Sequence, residues 1–206
     1  MGDVLALLRG EYRSPEGVEA HAVPGEGAGV QVWVLGSSAG VSAETAGANG
    51  LRFAANYRVS PASVLEAAGA YRAAFKPSAG PDGPDRPHLT VSADVVVAPD
   101  DAGARELATG YAPWVHSIRS GAGAIPFPDP DQARELTRDR TAADHELVAD
   151  RVQTQFAGSP ATVADHLERL RDATGADELL ITPITHAHAD RVRSYRLLAA
   201  EWARRG

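Results

Sequence analysis

Residues 31–42 read QVWVLGSSAGVS. A short β-branched and aromatic run, Gln31 to Leu35, stops at Gly36-Ser37-Ser38, and a helix-compatible segment opens after Gly40. Strand, Gly/Ser turn and helix in that order form the joint of a parallel β/α unit. The strand signal recurs in Leu51 to Asn56 (LRFAAN), His88 to Ala98 (HLTVSADVVVA) and Glu178 to Pro183 (ELLITP). These runs are nearly continuous in apolar residues, which suits parallel strands covered on both faces. Helical segments lie between them. Ser60-Pro61 and Ser159-Pro160 each set a cap residue before a proline at the first helical position. Apolar stripes follow, Val64, Leu65, Ala68, Tyr71 and Phe75 in one and Val163, Leu167 and Leu170 in the other. A closing segment from Asp190 carries Val192, Tyr195, Leu198 and Trp202 on one face. The fold class is therefore α/β, with parallel strands and flanking helices.

The 206 residues suit one domain, and Asp3 to Leu8 (DVLALL) reads as the end of a helix with nothing before it. There is no cysteine, which excludes disulfides, thiolate metal sites and cysteine nucleophiles. A net charge of −7 argues against a nucleic-acid or membrane-surface binder. No apolar run reaches the ~20 residues of a membrane span, and no signal-peptide pattern follows Met1, so a cytoplasmic protein is expected. Two stretches interrupt the β/α rhythm. Pro77 to Pro87 reads as a surface loop. Gly110 to Arg140, with Tyr111, Trp114, His116, Ile125 and Phe127, is too long and aromatic for a simple connection. Long ordered loops in α/β folds often cover a site.

Three constellations bear on chemistry. In Gly36-Ser37-Ser38-Ala39-Gly40-Val41-Ser42, glycines allow close backbone approach, serines add hydroxyl donors, and a helix N-terminus adds free N–H groups. That combination could hold a phosphate without a lysine, but by spacing alone a plain Gly/Ser turn with a serine cap fits it better. It matches neither the P-loop nor the dinucleotide fingerprint. Thr185-His186-Ala187-His188-Ala189-Asp190-Arg191 follows the last strand. H-x-H-x-D invites a metal reading, but the further ligands a metal needs are missing from the sequence after it, and no metal is expected. Asn56-Tyr57-Arg58 stands at the C-terminal end of the second strand, where parallel α/β folds place ligands. Of the other histidines, His21, His145 and His166 read as exposed, and His116 is the one to watch. No G-x-S-x-G signature or paired acid and base appears, which fits a cofactor that carries the reaction.

The stretch VWVLGSSAGVSAETAGANGLRFAANYRVSPASVLEAAGAYRAAFKPS resembles the second half of the luciferase-like flavin-dependent monooxygenases. SADVVVAPDDAGARELA, YAPWVHSIRSGAGAIPFPDP and FAGSPATVADHLERLRDATGADELLITPITHAHADRVRSYRLLAAEWARR continue the likeness in the same order. The resemblance implies a TIM barrel of which these residues form the C-terminal portion, about four β/α units. Residues 1–206 would be a single incomplete barrel domain without the family's N-terminal strands, and 110–140 an insertion over the pocket mouth. It also implies reduced FMN, or F420 in a sister branch, acting with oxygen on a small organic substrate.

The flavin phosphate would then rest on Gly36, Ser37, Ser38, Gly40, Val41 (through its backbone N–H) and Ser42. Asn56, Tyr57, Trp114 and His116 would line the substrate pocket. Expected partners are the flavin, its substrate and a supplying flavin reductase, with a homodimer or association through the open half-barrel. The alternative is a catalytically inactive truncated paralogue acting as a binding or assembly partner. A self-contained flavodoxin-type domain is a third reading, opposed by the helix-like start and by the resemblance.

Overall fold

A computed structural model describes residues 1–77, 83–121 and 123–206. Five parallel strands form one sheet: β1 (Trp33–Gly36), β2 (Arg52–Ala55), β3 (Leu89–Val97), β4 (Phe156–Gly158) and β5 (Glu178–Pro183). Nine helices are seen among the described residues: α1 (Gly2–Arg9), α2 (Val41–Ala48), α3 (Val64–Ala74), α4 (Asp101–Ala108), α5 (Tyr111–Arg119), α6 (Pro130–Thr137), α7 (Ala142–Thr154), α8 (Pro160–Thr174) and α9 (His188–Arg205). None is long and apolar enough to cross a membrane.

Register fixes the strand order. Thr90 and Val91 pair with β2 and also with β5, so those two strands flank β3 on opposite edges. Val95 pairs with both Phe156 and Pro183, which puts β4 on the edge that β2 occupies lower down. The four strands expected from the sequence are thus neighbours in the order β1, β2, β3, β5, each parallel to the next. The fifth, β4, is an addition that the sequence reading missed.

Side chains alternate along β3. Leu89, Val91, Ala93, Val95 and Val97 are buried together with Ala43 and Ala46 of α2, Ala67, Ala68 and Tyr71 of α3, Val163, Leu167 and Leu170 of α8, and Leu198 of α9. This layer between sheet and helices is the core. The stripes read from the sequence supply most of it, but Leu65 and Tyr195 turn out exposed. Ser194, a polar residue on the same helix, is fully buried: its hydroxyl donates to Val97 O (2.8 Å) and accepts from Val97 N (3.0 Å), tying α9 to β3. The opposite face of the sheet bears Leu35, Ala54, Thr90, Ser92, Asp94 and Leu180. Leu35 is 72 % and Leu180 55 % exposed.

Two further expectations change. Residues 110–140 are largely helical, α5 and α6, rather than a loop; Asp129 and Pro130 start α6 with a reciprocal capping box to Gln132. At Ser60-Pro61 the serine opens a single 3-10 turn (Pro61–Ser63) and makes no side-chain cap, whereas Ser159 caps α8 through Thr162 N as expected. Of the loop expected at Pro77 to Pro87, residues 78–82 lie outside the described residues.

Candidate functional site

At the C-terminal edge of the sheet, β1 runs into Ser37–Gly40 and α2 begins at Val41. Gly40 is the N-cap in an extended conformation, and no side chain caps the helix. The first backbone N–H groups of α2 therefore face outward without an internal acceptor. A Cβ at Gly36 would lie 2.9 Å from Ser42 Cβ and 3.0 Å from Phe53 Cε2, so only glycine lets the strand end pass this close to α2. The loop is braced from below: Ser63 Oγ donates to Ser37 O, and Asn56 N donates to Gly36 O (2.9 Å). The serine-bearing turn and the uncapped N-terminus of α2 lie together at this edge of the sheet. Gly36, Ser37, Ser38, Gly40, Val41 and Ser42 thus form one continuous feature.

The expected pocket residues do not stay together. Asn56 points across the exposed face, where its Oδ1 accepts from Ser92 Oγ (3.1 Å). Tyr57, the next residue, turns to the helix side. It packs on the core and against Phe156 (5.9 Å between rings), in a groove of about 530 Å³ that Pro61 and His166 also line. Burial there pushes its phenol pKa up. His166, read as exposed, is partly buried and lies against Phe156 (5.2 Å). Trp114 is packed between Tyr111 and Phe127 in a small core of its own.

His116 is held by Asp144 of α7 (Nε2 to Oδ1, 2.9 Å). Asp144 closes a capping box with Thr141, whose hydroxyl and backbone N–H hold the Asp144 carboxyl well below the usual range, with His116 adding to the effect. A carboxyl with a depressed folded pKa contributes stability above its unfolded value, and that contribution is lost as pH falls through the folded one. Asp144→Asn should therefore lower the urea midpoint at pH 7. The gap to wild type should narrow below pH about 4, where the unfolded carboxyl protonates. A gap that widens on acidification would refute this assignment.

The histidine motif diverges. His186 Nδ1 donates to Phe127 O (2.8 Å), while His188, the first residue of α9, accepts from Arg191 (2.8 Å). Among the described residues no cluster of histidines and carboxylates could hold a metal.

A polar cluster that the sequence reading passed over lies beside Asn56. Asp94 of β3 is 1 % exposed and faces the same side as Ser92. Its Oδ2 accepts from Tyr111 OH (2.6 Å) and lies 3.8 Å from Arg151 Nη2, and its Oδ1 lies 3.6 Å from Arg58 Nη1. Arg151 reaches Tyr111 OH as well (3.2 and 3.3 Å). This cluster clips α5 and α7 onto the sheet. Its signal was a lone carboxylate inside an otherwise apolar strand, SADVVVA.

A parallel sheet with a Gly/Ser turn leading into a helix at its C-terminal edge is the β/α architecture in which ligands sit beyond the strand ends. The chain belongs to the luciferase-like monooxygenase family, which it matches over residues 4–178. It is 34 % identical over 190 residues to the uncharacterized protein YvbT of Bacillus subtilis strain 168, covering 91 % of this chain and 54 % of that one. It is 28 % identical over 176 residues to a luciferase-like monooxygenase of Escherichia coli K12, covering 85 % and 50 %. The crystal structure of apo-MsnO8 superposes with a TM-score of 0.75 at 32 % identity, covering 92 % of this chain and 55 % of that one. Two more distant structures share the fold. The oxygenating constituent of 3,6-diketocamphane monooxygenase from Pseudomonas putida, in complex with FMN, has a TM-score of 0.55 at 19 % identity, covering 91 % and 53 %. An F420-dependent secondary alcohol dehydrogenase has a TM-score of 0.57 at 12 % identity, covering 96 % and 58 %. The neighbours are TIM-barrel proteins, and the chain spans about half the length of the curated relatives it matches.

Proposed function

We propose that this chain is the C-terminal half-barrel of a flavin-dependent monooxygenase and that the loop from Gly36 to Ser42 holds the cofactor's phosphate. The observation that carries the reading is the uncapped N-terminus of α2 behind a glycine that admits no side chain. Fold neighbours solved with FMN and with an F420–acetone adduct support a flavin-type cofactor; FMN is the first choice and F420 the alternative. When bound, the flavin supplies the redox chemistry with oxygen. The chain's own residues bind and orient it. The Val41 and Ser42 N–H groups and the Ser37, Ser38 and Ser42 hydroxyls would donate to phosphate oxygens. Asn56, fixed by Ser92, presents its amide on the exposed face of the sheet. The helices of 110–140 cover the mouth of the pocket and exclude water, as the seating of Tyr111 on that face suggests.

Charge reversal tests the loop. Ser37→Glu with Ser42→Glu should weaken FMN binding at least about tenfold, because charge-assisted donors are replaced by carboxylates that repel the phosphate. A fluorescence titration reads this directly, and unchanged affinity would remove the loop from the site. Repeating the titration with F420 decides between the cofactors. The second reading, an inactive assembly partner, is favoured by the open sheet face carrying Leu35 and Leu180. It requires that neither flavin bind and that sedimentation show a dimer.

A further inference from the structure

Asn56 and Arg58 leave the end of β2 two residues apart and reach the same side of the sheet. Their partners on β3, Ser92 and Asp94, are also two apart. Amide and guanidinium thus occupy successive layers of one face at the ligand-binding end of the strands. The charges around Asp94 do not balance: two guanidinium groups, Arg58 and Arg151, surround one carboxylate. Tyr111 adds no negative charge, since burial, reinforced by the neighbouring carboxylate, pushes its phenol well above its ordinary value. Arg151 is buried and engaged with Asp94 and Tyr111.

Arg58 is different. Its side chain is 35 % exposed, and it makes no hydrogen bond among the described residues. At 3.6 Å its approach to Asp94 is an ion-pair distance beyond hydrogen-bond range, and Asp94 Oδ1 is left without a donor. Asp94 therefore tethers the guanidinium by its charge while leaving the planar N–H fork free. That fork matches a carboxylate in a bidentate arrangement that a lysine could not reproduce.

We propose that Arg58 is the specificity-determining residue of the substrate pocket and recognises a carboxylate on the organic substrate. This rests on the flavin-monooxygenase reading of the same sheet face. Asn56 then contacts the part of the substrate one layer deeper, and the substrate class is an organic acid. The phosphate of the flavin is a second source of anionic oxygen near this edge, and the two are separable.

The probes are benzoate and its uncharged isostere benzamide, titrated into the 15N-labelled chain while the arginine side-chain Nε–H signals are followed. The Arg58 signal is assigned by its absence in Arg58→Gln. Benzoate should shift that signal and bind at least about tenfold more tightly than benzamide, the margin of one charge-assisted pair. Arg58→Gln should abolish the preference, and Arg58→Lys should restore part of it. A purely structural Arg58 would lower the melting temperature when replaced yet leave the two probes' ratio as it was. Equal binding of the probes, no binding of either, or a preference surviving in Arg58→Gln overturns the proposal. So does an Arg58→Gln variant that loses affinity for FMN but not for riboflavin while its benzoate binding is intact, which would assign the arginine to the flavin phosphate. Failure of FMN binding with an Arg58-dependent benzoate preference would instead sink the flavin reading and leave the carboxylate site standing.

Discussion

Asp94→Ala is expected to lower unfolding stability by about 3–5 kcal/mol, the cost of stranding a buried charge by deleting its partner. Arg151 is itself buried, and in the variant its guanidinium would be left with Tyr111, whose hydroxyl and ring it contacts, and no counter-charge within ion-pair distance among the described residues. Tyr111 in turn would lose the 2.6 Å bond that seats α5 on β3. A loss of that size is about a fifth or more of a typical domain's total stability. It should concentrate in α5 and α7, which Asp94 clips to the sheet, so their amides should lose hydrogen-exchange protection before those of β3. The double variant Asp94→Leu with Arg151→Met provides the control. Removing both charges leaves no uncompensated buried ion, since Arg58, the remaining partner, is part-exposed to solvent, so much of the loss should return. Urea midpoints of the wild type, Asp94→Leu, Arg151→Met and the double variant would settle it. Additive losses would show that the two residues do not act as a pair.

What could be read from the sequence divides along physical lines. β1, β2, β3 and β5 were legible because a strand buried on its helix side needs a run of β-branched and apolar residues. The Ser159-Pro160 start of α8 was legible because its cap is local. β4 was not, since Phe156–Gly158 is too short for a pattern and exists through pairing with the tail of β3. The helices in 110–140 were hidden by the glycines and prolines between Gly121 and Pro130, which mask the breaks between regular elements. Buried polar residues fared worst. Ser194, Arg151 and Asp94 look like surface residues until partners many positions away, such as Val97 for Ser194, are brought alongside. In the candidate site the backbone path of the Gly36-to-Ser42 loop was legible, because strand, turn and helix start are contiguous. Asn56 and Tyr57 were wrongly grouped: consecutive residues leaving a strand point to opposite faces, so one reaches the exposed face and the other the helix layer.

The same close packing that shapes the loop makes α2 sensitive at its other end. Gly47 faces α3, where an added Cβ would lie 2.5 Å from Tyr71 O and 2.9 Å from the carbonyl carbon of Ala74. Those are backbone atoms within α3 and cannot rotate away. Nor can α3 retreat, because Tyr71 OH donates to Leu51 O (2.9 Å) and accepts from His88 N (2.9 Å), pinning the helix to β2 and β3. Lys76 N also donates to Gly47 O (2.9 Å), so the two segments are bonded close to where the methyl would enter. Gly47→Ala should therefore push α2 outward and cost about 3 kcal/mol, the upper end for overpacking. Helix propensity alone points the other way, since alanine is favoured over glycine by up to about 1 kcal/mol in a helix. Gly69, on α3 with open space where its Cβ would go, isolates that term, so Gly69→Ala should be neutral or stabilising. Because α2 is short and its first turn carries the Val41 and Ser42 N–H groups, displacing it should also weaken FMN binding in Gly47→Ala and leave it unchanged in Gly69→Ala. Thermal midpoints and FMN titrations of the two variants measure both effects. If the two substitutions shift stability in the same direction by similar amounts, the close approach of α2 to α3 is not what holds the Gly36-to-Ser42 loop in place.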